Sequence, residues 1–247
     1  MFWIRLAAAL LCGASMLAAQ ELPAGTVLPV LMNTAVDAKK DKPGRRLEGV
    51  LKQEVQLPAG KKIRSGSHVV GHILEVSRPE DGGFRIVLAF DQLQVEGHAI
   101  PLSITVRAVA TKADVFNAGL PISAGSDTVS SDEWTTRQVG GDVVNRGRRA
   151  VASADAIVGR WDGGVWAQLT PAPEAGCPAS DGNGQLQAMW VFSTSACGVY
   201  GLPDVRLIHA GRTPPIGHVV LESPRDLKIG DGSGWLLVVN PAPGAKP

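Results

Sequence analysis

Apolar and polar residues alternate along the first half of this chain with a period of two. The alternation runs through Leu47–Leu57, Phe84–Phe90 and Ile100–Ala108. A period of two places successive side chains on opposite faces of a sheet, so each segment is predicted to be a strand with one face on a core and one in water. In the last segment this parity puts Thr105 and Arg107 on the face toward water.

A four-residue element, Leu-Pro-Ala-Gly, occurs twice, at Leu22–Gly25 and at Leu57–Gly60. Each copy is a turn that leads into a β-rich run, because proline presets φ for a turn and glycine tolerates the positive φ after it. We therefore expect residues 22–108 to form a closed or nearly closed barrel in which Gly25 and Gly60 occupy equivalent turns.

The second half resumes the strand signals after an interruption. Residues 112–133 are rich in Ser, Asp, Ala and Gly, and we predict an exposed loop or linker there. The chain has 29 Gly and 17 Pro, which argues against long helices. The predicted fold class is therefore all-β, an antiparallel barrel or sandwich of short strands with long loops. Strand-like runs follow at Ala156–Trp161, Val165–Leu169, Gln187–Ser193, Val205–His209, His218–Glu222 and Trp235–Asn240.

The predicted strands divide the chain into a first β module, residues 20–111, and a second β region, residues 134–240. The second region either forms its own unit or completes the same barrel. Residues 241–247 are a tail of Pro, Ala, Gly and Lys with nothing to bury, and they are expected to be disordered.

The N-terminus has the pattern of a secretory signal peptide over residues 1–19. Arg5 precedes the uncharged apolar run Leu6–Leu17, and the small residues Ala18-Ala19 offer a cleavage site. The run is shorter than the ~20 residues of a comfortable membrane span. We expect a cleaved, exported protein of the periplasm or extracellular space. An uncleaved anchor, or a lipoprotein processed at Cys12, is the alternative.

Cysteine count and charge narrow the function classes. After cleavage Cys177 and Cys197 remain, and an even count in an exported chain predicts one disulfide. Cleavage also removes Arg5, so Lys plus Arg falls from 24 to 23 and balances the 23 acidic residues. A chain without a basic surplus is not expected to have nucleic acid as its main partner.

The turn residues of the first module resemble those of a known family over residues 23 to about 107. The matching segments are Ala24-Gly25-Thr26-Val27-Leu28-Pro29, Asn33-Thr34, Pro43-Gly44, Glu54-Val55, Ile63-Arg64-Ser65-Gly66-Ser67-His68-Val69-Val70-Gly71-His72, Phe84-Arg85-Ile86-Val87-Leu88 and Glu96-Gly97. They are similar to the β-barrel domain of TrbI-type proteins, the core-complex proteins of conjugation and type IV secretion machines. The resemblance implies a β-barrel and an assembly function in the bacterial cell envelope.

The second half resembles secreted proteins of soil bacteria, and this similarity implies no activity. It is carried by Trp190-Val191-Phe192, by Cys197-Gly198 and by His209-Ala210-Gly211-Arg212-Thr213.

Few residues indicate catalysis, and none indicates a cofactor. His68 and His72 have a spacing that chelates metal on a helix, but on a strand they lie ~13 Å apart, so we predict no metal site. His209 follows an apolar strand and precedes a Gly turn, where site residues often lie. With Asp204 and Arg212 it is the first place to look for the active site of a secreted hydrolase.

One Asp-containing segment and four tryptophans are further candidates for ligand binding, and each also has a purely structural interpretation. Ser180-Asp181-Gly182-Asn183-Gly184 mimics a calcium loop but lacks the closing Glu, so we predict a tight turn. Four tryptophans beside strand-like runs are core fillers or a ligand-stacking surface. They are Trp161, Trp166, Trp190 and Trp235.

The leading functional interpretation is a non-catalytic binding or assembly module of the cell envelope. Its expected partner is an envelope protein or a cell-wall component, and the sequence leaves open whether it forms a homo-oligomer. The secreted hydrolase with a site near His209 is the alternative.

Overall fold

The structure is a computed structural model that describes residues 22–80, 82–122, 133–147, 158–160 and 163–241. The predicted signal peptide, Trp161 and residues 242–247 of the predicted tail lie outside the described residues. One α-helix, α1, spans Lys112–Asn117, and 3-10 turns span Pro58–Gly60, Pro173–Ala175 and Ala179–Asp181. The strands are β1 Val27–Met32, β2 Val36–Asp37, β3 Arg46–Leu51, β4 Val55–Gln56, β5 Lys62–Ile63, β6 His68–Ser77, β7 Phe84–Val95, β8 His98–Pro101, β9 Ile104–Ala110, β10 Glu133–Arg137, β11 Val143–Gly147, β12 Val158–Arg160, β13 Trp166–Ala167, β14 Gln187–Ala188, β15 Gly198–Tyr200, β16 Arg206–Ala210, β17 Val219–Ser223, β18 Lys228–Ile229 and β19 Gly234–Val239.

Ten strands form the main sheet, which curls into a nearly closed barrel. Its order is β15-β9-β19-β1-β3-β6-β7-β17-β16, with β8 beside β7. All pairs are antiparallel except β15 with β9. This confirms the predicted all-β, barrel-like fold class. Register shifts between Val70 and Gly71 and between Ile73 and Glu75 bend β6 against β7, as bulges do.

Both halves of the chain contribute strands to this sheet. β19, near the end of the described chain, lies between β9 and β1, and β17 pairs with β7. Residues 20–111 therefore do not contain all the strands of the barrel. The smaller sheets β10-β11-β12 and β13-β14 come from the second half.

The barrel interior is an apolar core supplied by the inward faces of its strands. Leu88 and Ile104 are fully buried there, as their parity predicted. The rings of Phe90 and Trp235 meet edge to face with centroids 5.6 Å apart. Other fully buried members of this core are Leu28, Val30, Leu47, Ile73, Ile86, Val106, Val219, Leu221 and Leu237.

A second apolar cluster covers the outer face of β1, β9 and β19. Met189 and Phe192 from the second half pack in one cluster with Val27, Ala108 and Leu236. As a result, every residue of β9 and β19 is buried, on both faces of the sheet.

The prediction that Thr105 and Arg107 face water is therefore wrong. Thr105 is buried and its hydroxyl donates to Asn240 Oδ1 at 2.7 Å, while Arg107 is fully buried. Their parity is correct, since they do lie on the face opposite Ile104. The outer layer supplied by the second half covers that face.

Several local predictions differ from the structure. The predicted strands Leu47–Leu57 and Ile100–Ala108 are each interrupted, the first between β3 and β4 and the second between β8 and β9. The region predicted as a loop from residue 112 begins with α1, whose capping box joins Thr111 and Asp114. The two Leu-Pro-Ala-Gly copies have glycines with positive φ, 76° at Gly25 and 71° at Gly60, but their turns are not equivalent. The first enters β1, whereas the second is a 3-10 turn between β4 and β5.

The predicted disulfide between Cys177 and Cys197 is confirmed, with Cα atoms 6.0 Å apart. It closes a loop of 20 residues of sequence separation within the outer layer. Replacing both cysteines by alanine is expected to lower the free energy of unfolding by about 3 kcal/mol, because the open loop gains conformational entropy when unfolded. Urea melts of the oxidised chain and of the variant measure this difference. A loss below about 1 kcal/mol would contradict it.

Candidate functional site

The three residues named for a hydrolase site have separate partners. Asp204 forms an ion pair with Arg225, a contact that raises the pKa of that arginine. Arg212 pairs with Asp181, and its Nε lies 2.8 Å from Asp181 Oδ1. Neither residue contacts the imidazole of His209, so the structure does not bring the three together as an acid–base set.

His209 closes the hairpin between β16 and β17. Its Nε2 lies 2.7 Å from the hydroxyl of Thr213, and its Nδ1 lies 2.8 Å from the carbonyl oxygen of His218 and 3.1 Å from the amide nitrogen of Gly211. A hydroxyl beside an oriented imidazole is the start of a nucleophile–base pair. Asp204, the carboxylate proposed to join it, is engaged with Arg225.

Arg212 instead belongs to a cluster with Arg107 and Asp181, named the Arg–Asp–Arg cluster here. Arg107 Nη1 lies 3.1 Å from Asp181 Oδ2, and Arg212 Nη2 lies 3.0 Å from the same oxygen. Arg107 also donates to the carbonyl oxygens of Ala196, Pro178 and Thr170. Burial lowers the pKa of Arg107, and the charge of Asp181 opposes this shift.

The Arg–Asp–Arg cluster holds the disulfide loop against β9. Arg212 donates to the carbonyl oxygen of Gly176 and, at 3.3 Å, to the Sγ atom of Cys177. Asp181 lies in the segment predicted to be a tight turn, and a 3-10 turn does end there. Its buried pairing with two arginines gave no local signal in the sequence, because both partners are distant along the chain.

A second polar constellation surrounds Trp166, and we call it the Trp166 cleft. It is an open cavity of about 490 Å³ between the barrel and the outer layer. Its lining residues are Lys52, Gln53, Glu54, Arg64, Ser65, Arg160, Gly164 and Trp166.

Gln53 attaches the outer layer at this point. This buried amide donates from Nε2 to the carbonyl oxygen of Val165 at 2.8 Å. Its Oε1 accepts from the backbone N–H groups of Val165 and Trp190, at 3.2 and 2.7 Å. These bonds satisfy backbone groups that burial would otherwise leave unpaired. They hold Trp166, the next residue along, beside the β3–β4 loop.

Positive charge dominates the Trp166 cleft. Among the described lining residues, Lys52, Arg64 and Arg160 are cationic and Glu54 has the one carboxylate. Glu54 pairs with Lys62, which lies outside the lining, at 3.0 Å. The cleft therefore attracts anions.

Two of these cations have no carboxylate partner among the residues that the structure describes. Arg64 makes an exposed contact of 3.4 Å with Glu96, a geometry that stabilises little. Lys52 and Arg160 are exposed and form no ion pair with any residue that the structure describes. Their charges can therefore interact with an anionic ligand.

The tryptophans divide between the two interpretations given above. Trp235 is fully buried in the barrel, and Trp190 is buried in the outer layer beside Phe192. Trp166 is half-buried, packs in part against the barrel core and borders the cleft. The prediction for Trp161 lies outside the described residues.

Sequence reasoning missed Lys52, Arg64 and Arg160 as partners of Trp166. Lys52 follows β3, Arg64 follows β5 and Arg160 is the last residue of β12, and these three strands belong to different sheets. Only Trp166 itself carried a signal, as an aromatic residue in a strand-like run.

Within the described ranges, no helix combines the length and apolar character that crossing a membrane requires. Across the same residues, no three His, Cys, Asp or Glu side chains form a group that could hold a metal ion.

Comparisons of the chain with protein-family models, with curated proteins and with solved structures find no match.

Proposed function

We propose that this protein is a non-catalytic binding module of the bacterial cell envelope and that it binds a cell-wall component through the Trp166 cleft. The observation that carries the proposal is a half-buried aromatic residue, Trp166, beside two exposed cations, Lys52 and Arg160, that form no ion pair with any residue in the described part of the chain. Convergent polar groups around an apolar surface in a cleft are typical of ligand sites.

The chemistry of the cleft supports binding over catalysis. Its side chains are cations, an amide, a hydroxyl and an indole, and Glu54 is held by Lys62. The hydrolase alternative needs His209, Asp204 and Arg212 to act together, and each has another partner.

An exported location agrees with the proposal. The Cys177–Cys197 disulfide is of a kind that persists in oxidising compartments such as the periplasm. The expected signal peptide at residues 1–19 and the resemblance to TrbI-type barrels point to the same place. That resemblance supports the envelope location alone, because the cleft lies between barrel residues 52–65 and outer-layer residues 160–166.

Co-sedimentation with purified peptidoglycan sacculi tests the proposed function. We expect the oxidised chain without residues 1–19 to sediment with sacculi, and the double variant Lys52→Gln/Arg160→Gln to lose most of this binding. The matched control is Lys40→Gln/Lys42→Gln, which removes the same charge from exposed residues outside the cleft. Equal sedimentation of both double variants would refute the assignment to the cleft, and so would failure of the unmodified chain to sediment.

A further inference from the structure

The residues that line the Trp166 cleft indicate the chemical class of its ligand. This inference rests on the proposed binding function. Lys52 and Arg160 present two positive charges that no carboxylate in the described part of the chain neutralises. A guanidinium and an ammonium recognise carboxylates and similar anions through charge-assisted hydrogen bonds. The ligand is therefore expected to carry negative charge.

Trp166 adds a preference for a ring with an apolar face. One part of its indole packs on the barrel core, and another part borders the cleft. The face of an indole is electronegative, so it attracts the weakly positive C–H groups on one side of a sugar ring. Ser65 lines the same cleft; its hydroxyl donates to the carbonyl oxygen of Leu51 at 3.2 Å and can also accept a hydrogen bond from a ligand hydroxyl.

The size of the cleft limits the length of the ligand. Its volume of about 490 Å³ is within the range of small-molecule sites, about 300–1,000 Å³. A groove that binds single-stranded nucleic acid instead follows the backbone over ~4–16 nucleotides and needs an extended basic surface. The net charge of the whole chain is +1, which provides no such surplus.

We infer that the Trp166 cleft binds an acidic saccharide, a short stretch of sugar rings bearing a carboxylate. One ring stacks on Trp166, and its carboxylate pairs with Arg160 or Lys52. The neighbouring ring contacts Arg64 and Ser65 at the cleft edge. Gln53 contributes by holding Trp166 in position through its bonds to Val165 and Trp190.

Isothermal titration of the oxidised chain with trigalacturonate, a carboxylated trisaccharide, tests this inference. Two further probes test the role of the sugar rings and the role of the negative charge separately. Chitotriose has sugar rings without negative charge, and triglutamate has carboxylates without sugar rings. We expect trigalacturonate to bind at least about tenfold more tightly than either, because only it satisfies both the cations and the indole.

Variants assign the binding to the cleft. Lys52→Gln/Arg160→Gln should weaken trigalacturonate binding by at least about tenfold, and Trp166→Leu should weaken it severalfold. The control Lys40→Gln/Lys42→Gln should bind as the unmodified chain does. Thermal melts of each variant show whether it is folded, and the two glutamine substitutions lie at exposed positions where folding is expected to be unaffected.

Distinct results would overturn the inference. Equal binding of triglutamate would identify an acidic peptide as the ligand class, and equal binding of chitotriose would remove the role of charge. No measurable binding of trigalacturonate would refute the saccharide class. In each case the proposed function stands if sedimentation with sacculi still depends on Lys52 and Arg160, so the two failures are distinguishable.

Discussion

Replacing Arg107 by methionine is expected to lower the free energy of unfolding by about 3–5 kcal/mol. The guanidinium is fully buried and donates to Asp181 and to the carbonyl oxygens of Ala196, Pro178 and Thr170. Methionine fills much of the volume but leaves these acceptors unpaired in a region of low polarity. Arg212 retains its contact with Asp181, so one charge partner survives and the aspartate is not left alone.

Urea denaturation of the oxidised chain measures the effect, and Arg206→Met supplies the control. Arg206 is exposed on β16 and forms no ion pair with a described residue, so its replacement should change the free energy of unfolding by less than about 0.5 kcal/mol. If Arg107→Met cost no more than the control, the Arg–Asp–Arg cluster would not stabilise the outer layer.

Replacing Leu88 by aspartate is expected to destabilise the barrel by more than about 4 kcal/mol. Leu88 is fully buried on the inward face of β7, in the core that contains Phe90 and Trp235. Aspartate would bring a carboxylate among apolar side chains with no partner to compensate its desolvation. The variant should either unfold at a much lower urea concentration or fail to accumulate as a folded protein.

The matched substitution is Gln92→Asp on the same strand. Gln92 is exposed, so the new charge remains in water and should be nearly neutral for stability. Comparable losses for the two variants would mean that Leu88 is not buried in the barrel core while Gln92 is in water. A chain that shows mostly helical circular dichroism would contradict the barrel itself.

The candidate site shows how far local sequence signals reach. The sequence predicts that Trp166 either fills the core or stacks on a ligand. In the structure Trp166 is half-buried: it packs against the barrel core and also borders a cleft. Lys52 and Arg160 carried no signal, because an exposed cation on a short strand or loop looks the same whether or not a ligand site is nearby. Their proximity depends on Gln53, whose bonds to Val165 and Trp190 cross 112 and 137 positions.

Local sequence patterns predict the approximate positions of the barrel strands, the parity of most of their side chains and the pairing of Cys177 with Cys197. These follow from local rules, since alternation assigns each residue to a face of its own strand and two cysteines permit one intramolecular bond. Ala108 is an exception, because the register of β9 against β19 shifts between Leu236 and Leu237 and leaves Ala108 on the outer face. Which faces of the sheet are covered by other segments follows only from the packing of the whole chain. Arg107 lies opposite Ile104 as its parity requires, yet it is buried because residues 63 to 89 positions away pack over it. The alternation along a strand shows to which face of the sheet a side chain points. Whether that face is exposed to water depends on the packing of segments distant in the sequence.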